Sequence, residues 1–213
     1  MRINPIYVVF PVAACLPYMA PFFGLVQDRF LVYARLRAST RRILAGHLLA
    51  CGAMSGLTFA LVGAIPGLWM RFGQYTLEPL AYGLTSPEAV RAAELSAAPL
   101  TNVVAVGHWA LPVVYGLWVG INAAMYATIS LCLILLQSST IIALIAPWAV
   151  EMVAGFGLES LRWEEISTGL FMPFNLSQIP VTNFLFPLTA LACVTLGFLL
   201  VVLVRADSLH RLQ

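Results

Sequence analysis

The sequence predicts an all-α integral membrane protein, and three observations carry that prediction. The 213 residues are 61% hydrophobic and 9% charged, with a mean hydropathy of +0.92. Soluble domains carry about 25% charged residues, and burying this much apolar surface needs lipid as well as protein. The apolar residues gather in five runs, each close to the roughly 20 residues that cross a bilayer as a helix. Between the first two runs lies segment 28–42, DRFLVYARLRASTRR, with five of the eleven basic residues, flanked by sequence almost free of charge.

The runs fall at about 6–26, 43–70, 109–136, 140–158 and 181–204. The second and third exceed the bilayer thickness, so tilt or extension past the lipid is expected. Short arginine-rich loops stay in the cytoplasm, so loop 27–42 is assigned to the inner side. The outer loops are then 71–108 and 159–180, 137–139 is a tight inner turn, and the tail from Arg205 is inside. The remaining charges agree. The inner side collects Arg29, Arg35, Arg37, Arg41, Arg42, Arg205 and Arg211 against Asp28 and Asp207. The outer side has Arg2, Arg71, Arg91 and Arg162 against Glu78, Glu88, Glu94, Glu159, Glu164 and Glu165.

An odd number of spans places the amino terminus outside, and two readings of it stand. Val12-Ala13-Ala14-Cys15 has a lipobox-like pattern, but Pro11 interrupts the apolar region and apolar sequence continues past the cysteine to Val26. The other reading is a six-span fold lacking its first span.

The first span contains Pro11, Pro17 and Pro21, and later spans contain Pro66, Pro112, Pro147 and Pro187. Proline frees a backbone carbonyl and kinks a helix; it is a feature of moving transporters and also common in transmembrane helices generally. Small residues recur every fourth position: Gly52, Gly56, Ala60 and Ala64 in the second span, Gly116, Gly120, Ala124 and Thr128 in the third. Such stripes let helix backbones approach closely, within one chain or across a dimer. Glu151 is the one carboxylate deep in a span. It is either a polar lining residue on a translocation path or a carboxylate that reaches the outer interface once Pro147 bends its helix.

In the larger outer loop, Ser86-Pro87-Glu88 has the form of a helix start. The last outer loop mixes charges with Trp163, Leu170, Phe171, Met172 and Phe174, which fits an amphipathic outer segment before the last helix.

No enzyme signature is present. His47, His108 and His210 are isolated in the sequence, and there is no carboxylate cluster, metal-ligand spacing or phosphate-binding glycine loop. No catalytic, cofactor-binding or metal residue is therefore assigned. The cysteines Cys15, Cys51, Cys132 and Cys193 fall singly in separate spans and are read as small packing residues. A net charge of +2 argues against a nucleic-acid partner.

The first span and basic loop carry Leu16-Pro17-Tyr18, then Phe30, Tyr33 and Arg37, with Arg41 and Arg42 following. In this pattern the chain resembles the ABC-2 class of bacterial ABC transporter permeases. The motif covers some thirty residues; elsewhere the likeness is in span order and the amphipathic loop before the last span. Relatives often carry acidic residues soon after the tyrosine, where this chain has Gly24-Leu25, and they usually have six spans. The resemblance implies that segment 27–42 is a coupling helix resting on an ATPase dimer, with Asp28, Arg29, Phe30, Tyr33, Arg35 and Arg37 as the coupling residues.

The expectation is a permease subunit in the bacterial plasma membrane, without enzymatic activity or cofactor of its own. It would pair with a second permease subunit, as homodimer or heterodimer, and with a separate cytoplasmic ATP-binding cassette ATPase, and it would act in export. Two alternatives stay open: an accessory or regulatory polytopic membrane protein without transport activity, and a proton-coupled secondary transporter using Glu151.

Overall fold

The computed structural model describes residues 5–27, 39–69, 72, 109–137, 140–160 and 181–205. Among them there are five helices and no strand: α1 (Pro5–Gln27), α2 (Thr40–Leu68), α3 (Ala110–Leu136), α4 (Thr140–Ser160) and α5 (Val181–Val204). The protein is an all-α membrane protein. In lipid, every backbone N–H and C=O must be satisfied within the segment, and a helix does this for each run separately. The helices contain 21 to 29 residues. At 1.5 Å per residue even the shortest spans about 31 Å, the thickness of a hydrocarbon core. By length and composition α2, α3 and α5 are apolar enough to cross a membrane. In α1 and α4 the apolar stretches among the described residues are shorter, Val9–Met19 and Ile141–Ala154.

One helix organises the others. α3 touches α1, α2, α4 and α5, and its carboxy-terminal part is buried all round, from Tyr126 to Leu135 without a break. A helix apolar on every side belongs at the centre of a bundle. Its neighbours turn large side chains outward: Leu49, Leu57, Leu61 and Ile65 form a lipid-facing row on α2, and Val150, Val153 and Phe156 one on α4. In a bilayer that exposure costs nothing, since lipid tails are as apolar as the side chains.

The most extensive contact is between α2 and α3, where small residues face one another. Gly52 lies against Thr128, Gly56 against Ala124 and Gly120, and Gly63 against Gly116. A methyl group built on Gly120 would come within 2.5 Å of the Gly56 carbonyl oxygen; one on Gly116 would come as close to the Ala60 carbonyl oxygen. These distances leave no room for a Cβ, so glycine is required for this approach.

The core continues inward from that seam. Cys15, Met19 and Phe22 of α1 pack with Leu44, Leu48 and Cys51 of α2 and the carboxy-terminal part of α3. The four cysteines are free thiols, three buried and Cys193 exposed. Cys15, Cys51 and Cys132, separate in sequence, share this one cluster. Their role there is packing and weak hydrogen bonding: the Cys15 thiol donates to Ser130 Oγ at 3.0 Å and the Cys51 thiol to the Ala127 carbonyl at 3.5 Å.

The ends of the bundle place the charged segments. Ser39, Arg41 and Arg42 at the start of α2 share a groove with Leu200, Leu203 and Val204 near the end of α5. The chain therefore enters α2 and leaves α5 at the same face of the bundle.

Candidate functional site

Halfway along α3 and α4 a polar group is held in the apolar interior. Glu151 is eleven residues along from Thr140, about 17 Å up the helix axis. Tyr126 is ten residues before Leu136, at about the same depth on the neighbouring helix. The two helices are antiparallel, and only residues 137–139 separate them in the chain, so equal distances from their facing ends bring these residues level. The Tyr126 hydroxyl donates a side-chain hydrogen bond to the Glu151 carboxyl group. Both side chains are buried, Glu151 to 4% exposure and Tyr126 to 5%. Glu151 Oε2 has no hydrogen-bond partner among the described residues.

The carboxyl group lines a cavity of about 280 Å³ between α3, α4 and α5. Trp118, Asn122 and Tyr126 succeed one another at four-residue spacing along α3 and line one wall. Asn122 is buried and gives its amide N–H to the Trp118 carbonyl at 2.9 Å. Pro147 of α4 and Pro187 of α5 line the other walls. Each proline removes one intrahelical hydrogen bond and pushes against the preceding turn, which loosens packing where the cavity sits. The cavity is otherwise apolar, with Leu188, Leu191 and Phe198 among its lining residues.

A second polar contact lies between α1 and α2, in the carboxy-terminal half of α1. The Tyr18 hydroxyl and His47 Nδ1 are 2.6 Å apart. Phe22 closes over them, edge-on to His47 with ring centroids 5.5 Å apart and stacked on Tyr18 at 6.1 Å. This joins α1 to α2, the two helices that flank the basic segment in the chain. His47, isolated in the sequence, is thus paired in the fold. A one-dimensional pattern carries no sign of the pairing, because the partners are 29 positions apart on different helices.

The residues singled out from the sequence fall into three groups. Gly52, Gly56, Gly116 and Gly120 meet along the α2–α3 seam within one chain. Glu151 lies at mid-depth against Tyr126, away from the ends of the bundle. The residues expected to form a coupling segment, Asp28, Arg29, Phe30, Tyr33, Arg35 and Arg37, and the expected amphipathic segment beyond Ser160, lie outside the described residues. Among the described residues no cluster of histidine, cysteine and carboxylate side chains is arranged to hold a metal ion.

Fold and site together define a class, the multi-helix membrane proteins with a polar group sequestered at mid-depth. Comparison with known proteins does not narrow it: no family model matches the chain, and neither a curated protein nor a solved structure is significantly similar to it.

Proposed function

We propose that this chain is the membrane-spanning permease subunit of an ATP-binding cassette transporter in the bacterial plasma membrane, and that it works in export. Segment 27–42 is the coupling element, in contact with a separate cytoplasmic ATPase, and a second permease subunit completes the pore.

The observation that supports this reading best is the Tyr18–His47 contact. A coupling segment has to pass a displacement into the bundle, and it does so only if the helices on either side move together. Tyr18 and His47, tied at 2.6 Å with Phe22 packed over them, bind into one unit the halves of α1 and α2 that flank the basic segment in the chain. Force applied to segment 28–38 then reaches α1 and α2 jointly, and through their shared packing it reaches α3. The excess of arginine in the segment fits both retention in the cytoplasm and attraction to an acidic partner surface.

The test is purification from the native host in mild detergent, with a tag after Gln213 and mass spectrometry of whatever accompanies the chain. An ATP-binding cassette ATPase in fixed stoichiometry is expected. Arg35→Glu with Arg37→Glu should remove it while membrane insertion is unchanged. A clean preparation without an ATPase would reject the reading in favour of an accessory protein.

A further inference from the structure

We propose that the cavity between α3, α4 and α5 is a binding site for a lipophilic amine, with Glu151 as its counter-ion. The inference deepens the transport reading by naming a substrate class; it rests on that reading only for the word substrate, since the binding site itself needs no ATPase.

Three features of the cavity point to this ligand chemistry. The first is an unsatisfied acceptor. Glu151 is 4% exposed and lines the cavity, its carboxyl group takes the Tyr126 hydroxyl, and Oε2, itself enclosed, has no hydrogen-bond partner among the described residues. Leaving a buried acceptor unpaired costs about 1–3 kcal/mol, and more for a charged one. The arginines among the described residues are Arg41, Arg42 and Arg205, all at the ends of α2 and α5, so within the described spans no basic side chain neutralises this carboxylate. A protonated amine supplies the missing charge and N–H donors, whereas a phosphate or carboxylate ligand would meet repulsion.

The second feature is the rest of the lining. Apart from Asn122, Tyr126, Glu151 and the indole N–H of Trp118 the walls are apolar, and the Trp118 and Tyr126 rings add aromatic surface, which suits the body of a lipophilic cation. A cavity of about 280 Å³ lies near the lower end of the roughly 300–1,000 Å³ typical of small-molecule pockets. The ligand is therefore compact, an arylalkylamine rather than a lipid.

The third is the route in. Val150 and Val194 line the cavity and are also 68% and 49% exposed on the outer surface of the bundle. The cavity thus borders the lipid, where a lipophilic amine accumulates.

The experiment uses the full chain in phosphatidylcholine nanodiscs, without any ATPase, and 4-fluorophenethylamine observed by ¹⁹F NMR. Empty nanodiscs give the partitioning background, and 2-(4-fluorophenyl)ethanol is the neutral comparison. Saturable amine binding is expected, weakened by about tenfold or more in Glu151→Gln and for the alcohol, as loss of one charge-assisted hydrogen bond requires. Ala154→Phe keeps the carboxylate but fills the cavity one turn along α4, and should weaken binding to a similar degree. Amine binding no greater than in empty nanodiscs would overturn the proposal. So would Glu151→Gln binding within twofold of the parent chain, or alcohol and amine binding equally well. These results are separate from the co-purification result: an ATPase complex that binds no amine rejects only the ligand class, and amine binding without an ATPase rejects only the permease reading.

Discussion

At the scale of single residues, the Tyr126–Glu151 pair has an asymmetry that stability measurements can read. Removing the tyrosine hydroxyl leaves the carboxyl group with neither of its oxygens hydrogen-bonded to a side chain of α3. Replacing the carboxylate by an amide keeps an acceptor for Tyr126 and removes a buried charge. Tyr126→Phe should therefore lower stability by about 1–3 kcal/mol, while Glu151→Gln should leave it unchanged or raise it. Thermal unfolding of the two variants in the same detergent checks the order, and the reverse order would show that the hydrogen bond is not what holds Glu151 in place. The sequence marked Glu151 because a carboxylate among apolar residues stands out. It gave no sign of Tyr126, which is unremarkable in an apolar helix until a neighbour at equal depth makes it a donor. Tyr18 and His47 were both visible, Tyr18 as part of a motif, but their pairing was out of reach for the same reason. Each pair is formed by the way antiparallel helices bring distant positions level.

At the scale of elements, the difference between glycines tests the α2–α3 seam. Gly120 sits against backbone, with the Gly56 carbonyl oxygen 2.5 Å from where a Cβ would be; nothing lies within 4 Å of that position at Gly197 in α5. Gly120→Ala should destabilise the bundle by about 1–3 kcal/mol, because a backbone cannot yield as a flexible side chain does. Gly197→Ala should be neutral or gain about 0.5–1 kcal/mol from reduced backbone freedom in the unfolded chain. Equal effects in the two unfolding curves would contradict the close approach. This seam was the most legible part of the packing in the sequence, since small residues at four-residue spacing differ visibly from the Leu, Ile and Val around them. The other faces were illegible. With apolar residues on all sides of every span, no polar stripe distinguishes the lipid side from the protein side.

At the scale of the whole molecule, hydropathy alone located the helices: the expected spans 6–26, 43–70, 109–136, 140–158 and 181–204 differ from the observed helices by three residues at most. The physical reason is that a bilayer imposes both the length and the apolarity of whatever crosses it, so the spans are written in composition. A cavity is not. It arises where three helices fail to close on one another near Pro147 and Pro187, and that depends on shape rather than composition. The central position of α3 has one more consequence. Its long joint with α2 is made by surfaces alone, while the covalent link between the two helices, residues 69–109, leaves α2 at the end remote from the Tyr18–His47 clasp. The polypeptide should accordingly tolerate being made in two pieces, broken between residues 72 and 109. A fragment with α1 and α2 and one with α3 to α5, expressed from separate genes, are expected to find each other in the membrane and co-purify. Gly120→Ala in the second piece should abolish that reunion, because the interlocking backbones alone would then have to replace the lost peptide bond.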